Sequence, residues 1–189
     1  MAQTKQDLIL HRQNIFSLIQ SYGLKFPNEL QTLQRLYRFV SGNPSCFERE
    51  LLSGHITGSA WIVNKGFKKT LLTHHRKLDK WLQPGGHADG VTDVAEVALR
   101  EAREESGLSD LVLVSSEMFD IDVHLIPAGM TEPAHYHFDC RFLICCPENE
   151  NYVVSNESHD LAWVQLADIE HYTEEVSILR MVEKTIELR

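Results

Sequence analysis

At 189 residues the chain is the size of one domain, or of one domain with an appendage. Its 43 % apolar and 24 % charged residues are ordinary globular usage and exclude a disordered chain. The 18 Lys and Arg stand against 27 Asp and Glu, a net charge of −9, so a nucleic-acid partner is not expected, whereas metal-assisted handling of a small phosphate stays open.

In chain order, the stretch from Met1 to Leu24 groups only Leu8, Ile9 and Leu10 without interruption, too short a run for the core of a secretory leader. No apolar run anywhere approaches the roughly 18 residues of a membrane span, so no membrane partner is expected and the cytoplasm is the expected compartment. Leu8, Ile9, Ile15, Phe16, Leu18 and Ile19 give residues 5–22 a helical rhythm closed by Gly23. A second helix is predicted over residues 28–40, with Leu30, Leu33, Leu36 and Tyr37 on one stripe, before Ser41-Gly42-Asn43-Pro44 breaks the chain. Two amphipathic helices must pack on the rest of the chain or on a second copy, so a homodimer is an open expectation. Residues 1–50 are therefore read as a helical extension and residues 51–189 as the main domain.

Beyond Ser53, residues 56–63 and 68–73 read as a strand pair turning at Asn64-Lys65-Gly66. A loop with Trp81-Leu82-Gln83-Pro84-Gly85-Gly86 leads to a helix over 93–106, stopped by Gly107. Strands are expected within 110–125, 135–146 and 161–166, and a last helix near 174–188. Strands flanking an internal helix, with helix at both ends, predict an α/β or α+β layered domain. Cys46, Cys140, Cys145 and Cys146 have neither CxxC nor disulfide-framework spacing and read as small buried apolar side chains.

The helix over 93–106 has an unusual face. At 100° per residue, Val94, Val97, Ala98, Leu99, Ala102 and Leu108 form the apolar arc, and Glu101 and Glu105 fall inside it with Glu104 at its edge. Carboxylates at i, i+3 and i+4 repel one another, more strongly when partly buried. Such a face suits a cation, and oxygen-only ligands favour Mg²⁺ or Mn²⁺ over zinc. The plainer alternative is a solvated Glu96, Arg100, Glu104 ladder.

From Gly86 the chain reads Gly86-x5-Thr92-x7-Arg100-Glu101-Ala102-Arg103-Glu104-Glu105-Ser106-Gly107-Leu108. This resembles the Nudix hydrolase signature and retains six of its seven fixed identities: Gly86, Arg100, Glu101, Glu104, Glu105 and Gly107. It departs at Thr92, where the family has Glu, and at the small Ala102, where it has a bulky aliphatic. Thr92 precedes Glu101 by about 13 Å of helix, so the departure should spare the metal ligands.

The resemblance implies an α/β/α sandwich with a mixed sheet. It further implies Glu101, Glu104, Glu105 and the Gly85 carbonyl as ligands of Mg²⁺ or Mn²⁺. Arg100 would hold the catalytic helix in register by pairing with a neighbouring carboxylate. Gly85 and Gly86 allow close backbone approach. The implied reaction is hydrolysis of the pyrophosphate bond of a small nucleoside diphosphate derivative by metal-activated water. Glu157, in the loop before the 161–166 strand, matches the region where such enzymes supply an extra carboxylate as base or ligand.

Two further segments alternate with period 2. Asp120, Asp122 and His124 share one strand face, and His135, His137 and Asp139 share one face of the next. Folded together by the 125–133 loop, they read as a substrate-binding wall or a second metal site, or else as a solvated strand face. A nucleotide-binding regulatory domain and a metal-dependent isomerase on the same fold are the competing functions. Intact Glu101, Glu104 and Glu105 speak against the first, and the lack of a cysteine in an evident electropositive setting against the second.

Overall fold

The computed structural model describes residues 5–129 and 133–189, with side chains from residue 13 onward. The Leu8, Ile9 and Leu10 side chains and residues 130–132 of the expected loop lie outside the described residues. The elements are α1 (Lys5–Lys25), α2 (Leu30–Gly42), β1 (Gly54–Asn64), β2 (Lys69–His75), β3 (Lys80–Leu82), β4 (Gly85–His87), α3 (Val94–Ser106), β5 (Val112–Leu113), β6 (Asp120–Ile126), β7 (His135–Cys146), β8 (Ser158–Gln165) and α4 (Val176–Glu187).

The sheet runs β3-β2-β1-β7-β5, with β4 on β1, β6 on β7 and β8 on β2. It is mixed: β1 and β7 are parallel over their length, and the remaining pairs are antiparallel. β1 is buried from Gly54 to Val63, so both of its faces are packed. Its Ile56 and the Phe138, Cys140 and Phe142 of β7 join Val94, Val97 and Ala98 of α3 in one core. A Cβ on Gly58 would stand 2.8 Å from the Val94 carbonyl oxygen, which fixes how tightly α3 sits on β1. On the opposite face Trp61, Val63 and Leu143 pack against Ile178, Met181 and Val182 of α4. Helices thus cover both faces, the layered α/β arrangement expected from the sequence.

The N-terminal helices belong to the first core. Ile15, Leu18, Ile19 and Tyr22 of α1 and Leu33, Leu36 and Val40 of α2 are buried with Ile56 and Phe138. Phe39 of α2 stacks on Phe138 with ring centroids 3.8 Å apart. Tyr22 also reaches the C-terminal helix, accepting a 2.8 Å hydrogen bond from Lys184 Nζ.

α3 ends where its sequence says. Asp93 caps it by accepting from Ala95 N and Glu96 N, and Gly107 closes it in the left-handed region at φ 68°. Thr92 lies before that cap, outside the helix. The expected loop at Trp81–Gly86 contains two strands of three residues, β3 and β4, too short to carry a period. All four cysteines are free, and Cys46, Cys140 and Cys146 are buried.

Candidate active site

α3 presents its carboxylates to the β4 strand. Glu105 is 8 % exposed, and its Oε1 accepts a 2.7 Å hydrogen bond from Gly85 N. Glu101 is half-buried above Gly86, where a Cβ would stand 2.4 Å from Glu101 Oε2. A side chain at Gly86 would push that carboxylate aside. Glu104 is exposed at the rim, as the helical projection predicts.

Arg100 donates from Nη2 to Glu101 Oε1 at 2.7 Å and to the His87 carbonyl at 3.1 Å, tying α3 to β4. Burial pushes the Glu105 carboxyl up to about 8, against the hydrogen bond from Gly85, with Glu101 and Glu157 adding repulsion. Burial likewise raises Glu101, partly offset by Arg100. Glu157, exposed in the turn before β8, thus faces both carboxylates electrostatically. An oxygen-only donor set with strained, desolvated carboxylates and a glycine floor fits a hard divalent cation.

The alternating strands pair as a hairpin with their polar faces aligned: Asp122 opposes Asp139 and His124 opposes His137. That face is not the solvated surface its polarity would suggest. Asp120, His135, Asp139 and Arg141 are all buried. Asp139, expected to face substrate, is instead an internal hub. Its Oδ1 accepts from Thr57 Oγ1 at 2.9 Å and Ser59 Oγ at 2.7 Å, and its Oδ2 from Arg141 Nε at 2.7 Å and Gln83 Nε2 at 3.3 Å.

Asp120 accepts from Lys184 Nζ and Arg180 Nη2, each at 2.7 Å, and from Arg141 Nη1 at 3.3 Å. Asp122 pairs with His124 Nδ1 at 2.9 Å. Burial opposes its charge, but His124, Arg141 and Arg180 together hold its carboxyl down at about 2.

At the open end of this face the rings gather. His55 lies 4.8 Å from His137 and 4.9 Å from His135 between ring centroids, with His87 4.8 Å from His55. His124 adjoins His137 at 5.5 Å. Burial and the neighbouring His55, His87 and His124 push His137 down to about 3, so the ring is neutral. His55, His87 and Arg141 escape a reading of the sequence, because their partners come from strands far away along the chain. The polar alternation His55-x-Thr57-x-Ser59 in an otherwise apolar strand is the one local signal.

A cleft of about 770 Å³ opens beside this face, lined by Asp79, Lys80, Trp81, Asp122, Tyr172 and Thr173 among others. The Trp81 ring stacks on His74 at 5.0 Å and meets the Tyr172 ring edge at 5.2 Å.

No curated protein sequence matches the chain. Among solved structures, a hydrolase of the NUDIX family from Clostridium perfringens is 27 % identical, covering 71 % of this chain and 98 % of its own, with a TM-score of 0.53. A C. elegans Ap4A hydrolase is 18 % identical over 70 % of this chain and 96 % of its own, with a TM-score of 0.58. The E. coli dihydroneopterin triphosphate pyrophosphohydrolase is 16 % identical over 71 % of this chain and 96 % of its own, with a TM-score of 0.54. The latter two likenesses show a shared fold. The family model of the NUDIX domain matches residues 55–184, from the first strand through the last helix, and the chain belongs to the Nudix family.

Proposed function

We propose that the protein is a Mg²⁺- or Mn²⁺-dependent hydrolase that cleaves the pyrophosphate bond of a nucleoside diphosphate linked to another group. One observation carries this reading: Glu101 and Glu105 are crowded, desolvated carboxylates held against a glycine pair. Apolar side chains would serve the fold better at those positions, so the arrangement is built for a cation.

Glu101, Glu104, Glu105 and the Gly85 carbonyl would hold the ion. When bound, such an ion neutralises pyrophosphate charge and makes a water more acidic. The chain's own residues do the rest. Arg100 fixes the Glu101 carboxylate and braces α3 against β4. Glu157 stands as the acceptor of the attacking water's proton, since its charge already acts on both carboxylates. The water's oxygen bonds to one phosphorus, the bridging P–O bond breaks, and two phosphate-bearing products leave. Gly86 offers bare backbone to the substrate phosphates.

The test is a panel of nucleotide derivatives incubated with Mg²⁺ or Mn²⁺, with products resolved by chromatography. Wild-type protein should release a mononucleotide from at least one member, and the Glu101→Gln, Glu105→Gln double variant should release none. Equal release by both proteins would remove the carboxylates from the chemistry.

A further inference from the structure

We propose that His55, His135 and His137 form a second cation site, selective for a nitrogen-preferring transition metal of the Zn²⁺ class. It goes beyond the hydrolase reading and stands whether or not the carboxylates on α3 catalyse anything.

The two sites lie on opposite faces of the same strands. Even-numbered residues of β1 face α3, since a Cβ on Gly58 would strike Val94 and Val97. His55, Thr57 and Ser59 therefore point to the other side. β4 divides in the same way. Gly86 faces Glu101, whereas a Cβ on Gly85 would meet Ser59 Oγ, so His87 at the next alternate position joins the histidine side. The parallel register places His55 beside His137, and the antiparallel register places His124 across from it. Four strands thus deliver imidazoles to one side of the sheet.

The chemistry of the rings suits a metal. One ligand atom from each of His55, His135 and His137 lies within 4.8 Å of the others. For a triangle of that side the centre is about 2.8 Å from each nitrogen, some 0.7 Å beyond a Zn–N bond, a gap that small side-chain rotations close. The Pro133 carbonyl lies 2.9 Å from His135 Nδ1. A carbonyl only accepts, so Nδ1 is the donor and Nε2 is the nitrogen left for a ligand, the outer-shell arrangement that orients metal-binding histidines. His137 Nε2 is buried and has no hydrogen-bond partner among the described residues. Leaving a buried polar atom so is costly, and a cation would remove that penalty. Three neutral imidazoles bind zinc, cobalt, nickel or copper far better than magnesium or calcium. Such a three-histidine set leaves a place open for a fourth ligand, and the His87 ring is 5.2 Å from that of His137.

The experiment uses the full chain stripped with a chelator, then given excess Mg²⁺ to occupy oxygen-ligand sites. Cobalt is titrated in, and its visible d–d band is followed before displacement by Zn²⁺. Wild-type protein should bind one equivalent with a nitrogen-ligand band that Mg²⁺ does not suppress. His135→Ala and the volume-keeping His55→Phe should lose the band while circular dichroism stays native. The Glu101→Gln, Glu105→Gln variant should keep it. Retention of the band in the folded histidine variants, its loss in the glutamate variant, or no cobalt uptake by wild type would overturn the proposal. Should the histidine variants fail to fold, X-ray absorption of the wild type with one equivalent of zinc decides. Imidazole outer-shell scattering supports the site, and an oxygen-only shell refutes it.

Discussion

Two groups of buried polar residues share one face of β6 and β7, and they settle their charges differently. Around Asp120 the ions are paired within the chain: Arg141, Arg180 and Lys184 all reach its carboxylate, and Arg141 continues to Asp139. Further along the same strands, His135 and His137 aim ligand atoms inward, and His137 Nε2 finds no hydrogen-bond partner among the described residues. The carboxylates on α3 resemble the second group, since burial and mutual repulsion push Glu105 well up. Ions that satisfy one another belong to the architecture. Donors that converge without satisfaction mark places prepared for something from outside.

The sharpest way to break this comparison is to remove one member of each kind. Glu105→Gln should reduce turnover by several orders of magnitude while leaving the fold intact. Thr92→Ala, outside the helix, should keep turnover within about tenfold. Equal losses would mean that the departure at Thr92 matters to the chemistry after all.

Asp120→Ala should act in the opposite sense, on stability. It takes the shared carboxylate from the buried Arg141 and Lys184, leaving Arg141 on Asp139 and Lys184 on Glu29, and should cost about 3 kcal/mol in denaturant unfolding. A loss below about 1 kcal/mol would show that this network is not what holds α4 to the sheet.

A smaller effect follows from protons. The Glu105 carboxyl moves from an ordinary value of 4.5 to about 8 on folding. Between those values the native state holds a proton that the unfolded chain has released, so metal-free stability should fall as pH rises through that window. Glu105→Gln should flatten this slope, and saturating Mg²⁺ should offset it by binding the native state alone. Unfolding curves in a chelator from pH 5 to 8 measure it.

The smallest effect is the control. Arg103 is exposed and makes one long contact, Nη2 to the Leu111 carbonyl at 3.5 Å. Arg103→Ala should change stability by no more than about 0.5 kcal/mol and leave turnover unaltered.

How much of this was legible in the sequence depended on where the information lay. α3 was readable to within one residue, because the 3.6-residue period and Gly107 are local signals. The placement of Glu101 and Glu105 on the buried face followed from the same period. The hairpin of β6 and β7 was readable from alternation, but its burial was not, since polar alternation ordinarily means solvent. What covers that face is Arg141 on the same strand and Arg180 and Lys184 from α4, and their pairing is tertiary. His55 and His87 reach the ring cluster through strand registers that no local pattern specifies. Tyr136 shows the converse: it alternates in phase with the buried Phe138, yet it lies 40 % exposed, with Arg35 5.3 Å over its ring.

The parallel pairing of β1 with β7 also has a consequence for synthesis on the ribosome. Thr57 and Asp139, partners across those strands, are separated by 82 positions. At about 5–20 residues per second, β7 emerges roughly 4–16 s after β1. Throughout that interval β1, with Trp61, Ile62 and Val63, lacks the neighbour that completes its ladder. A nascent chain at that stage offers an apolar strand edge to whatever is nearby, a chaperone or another nascent chain. Slow codons between residues 64 and 135 would lengthen the exposure, and the folded molecule would keep no trace of it.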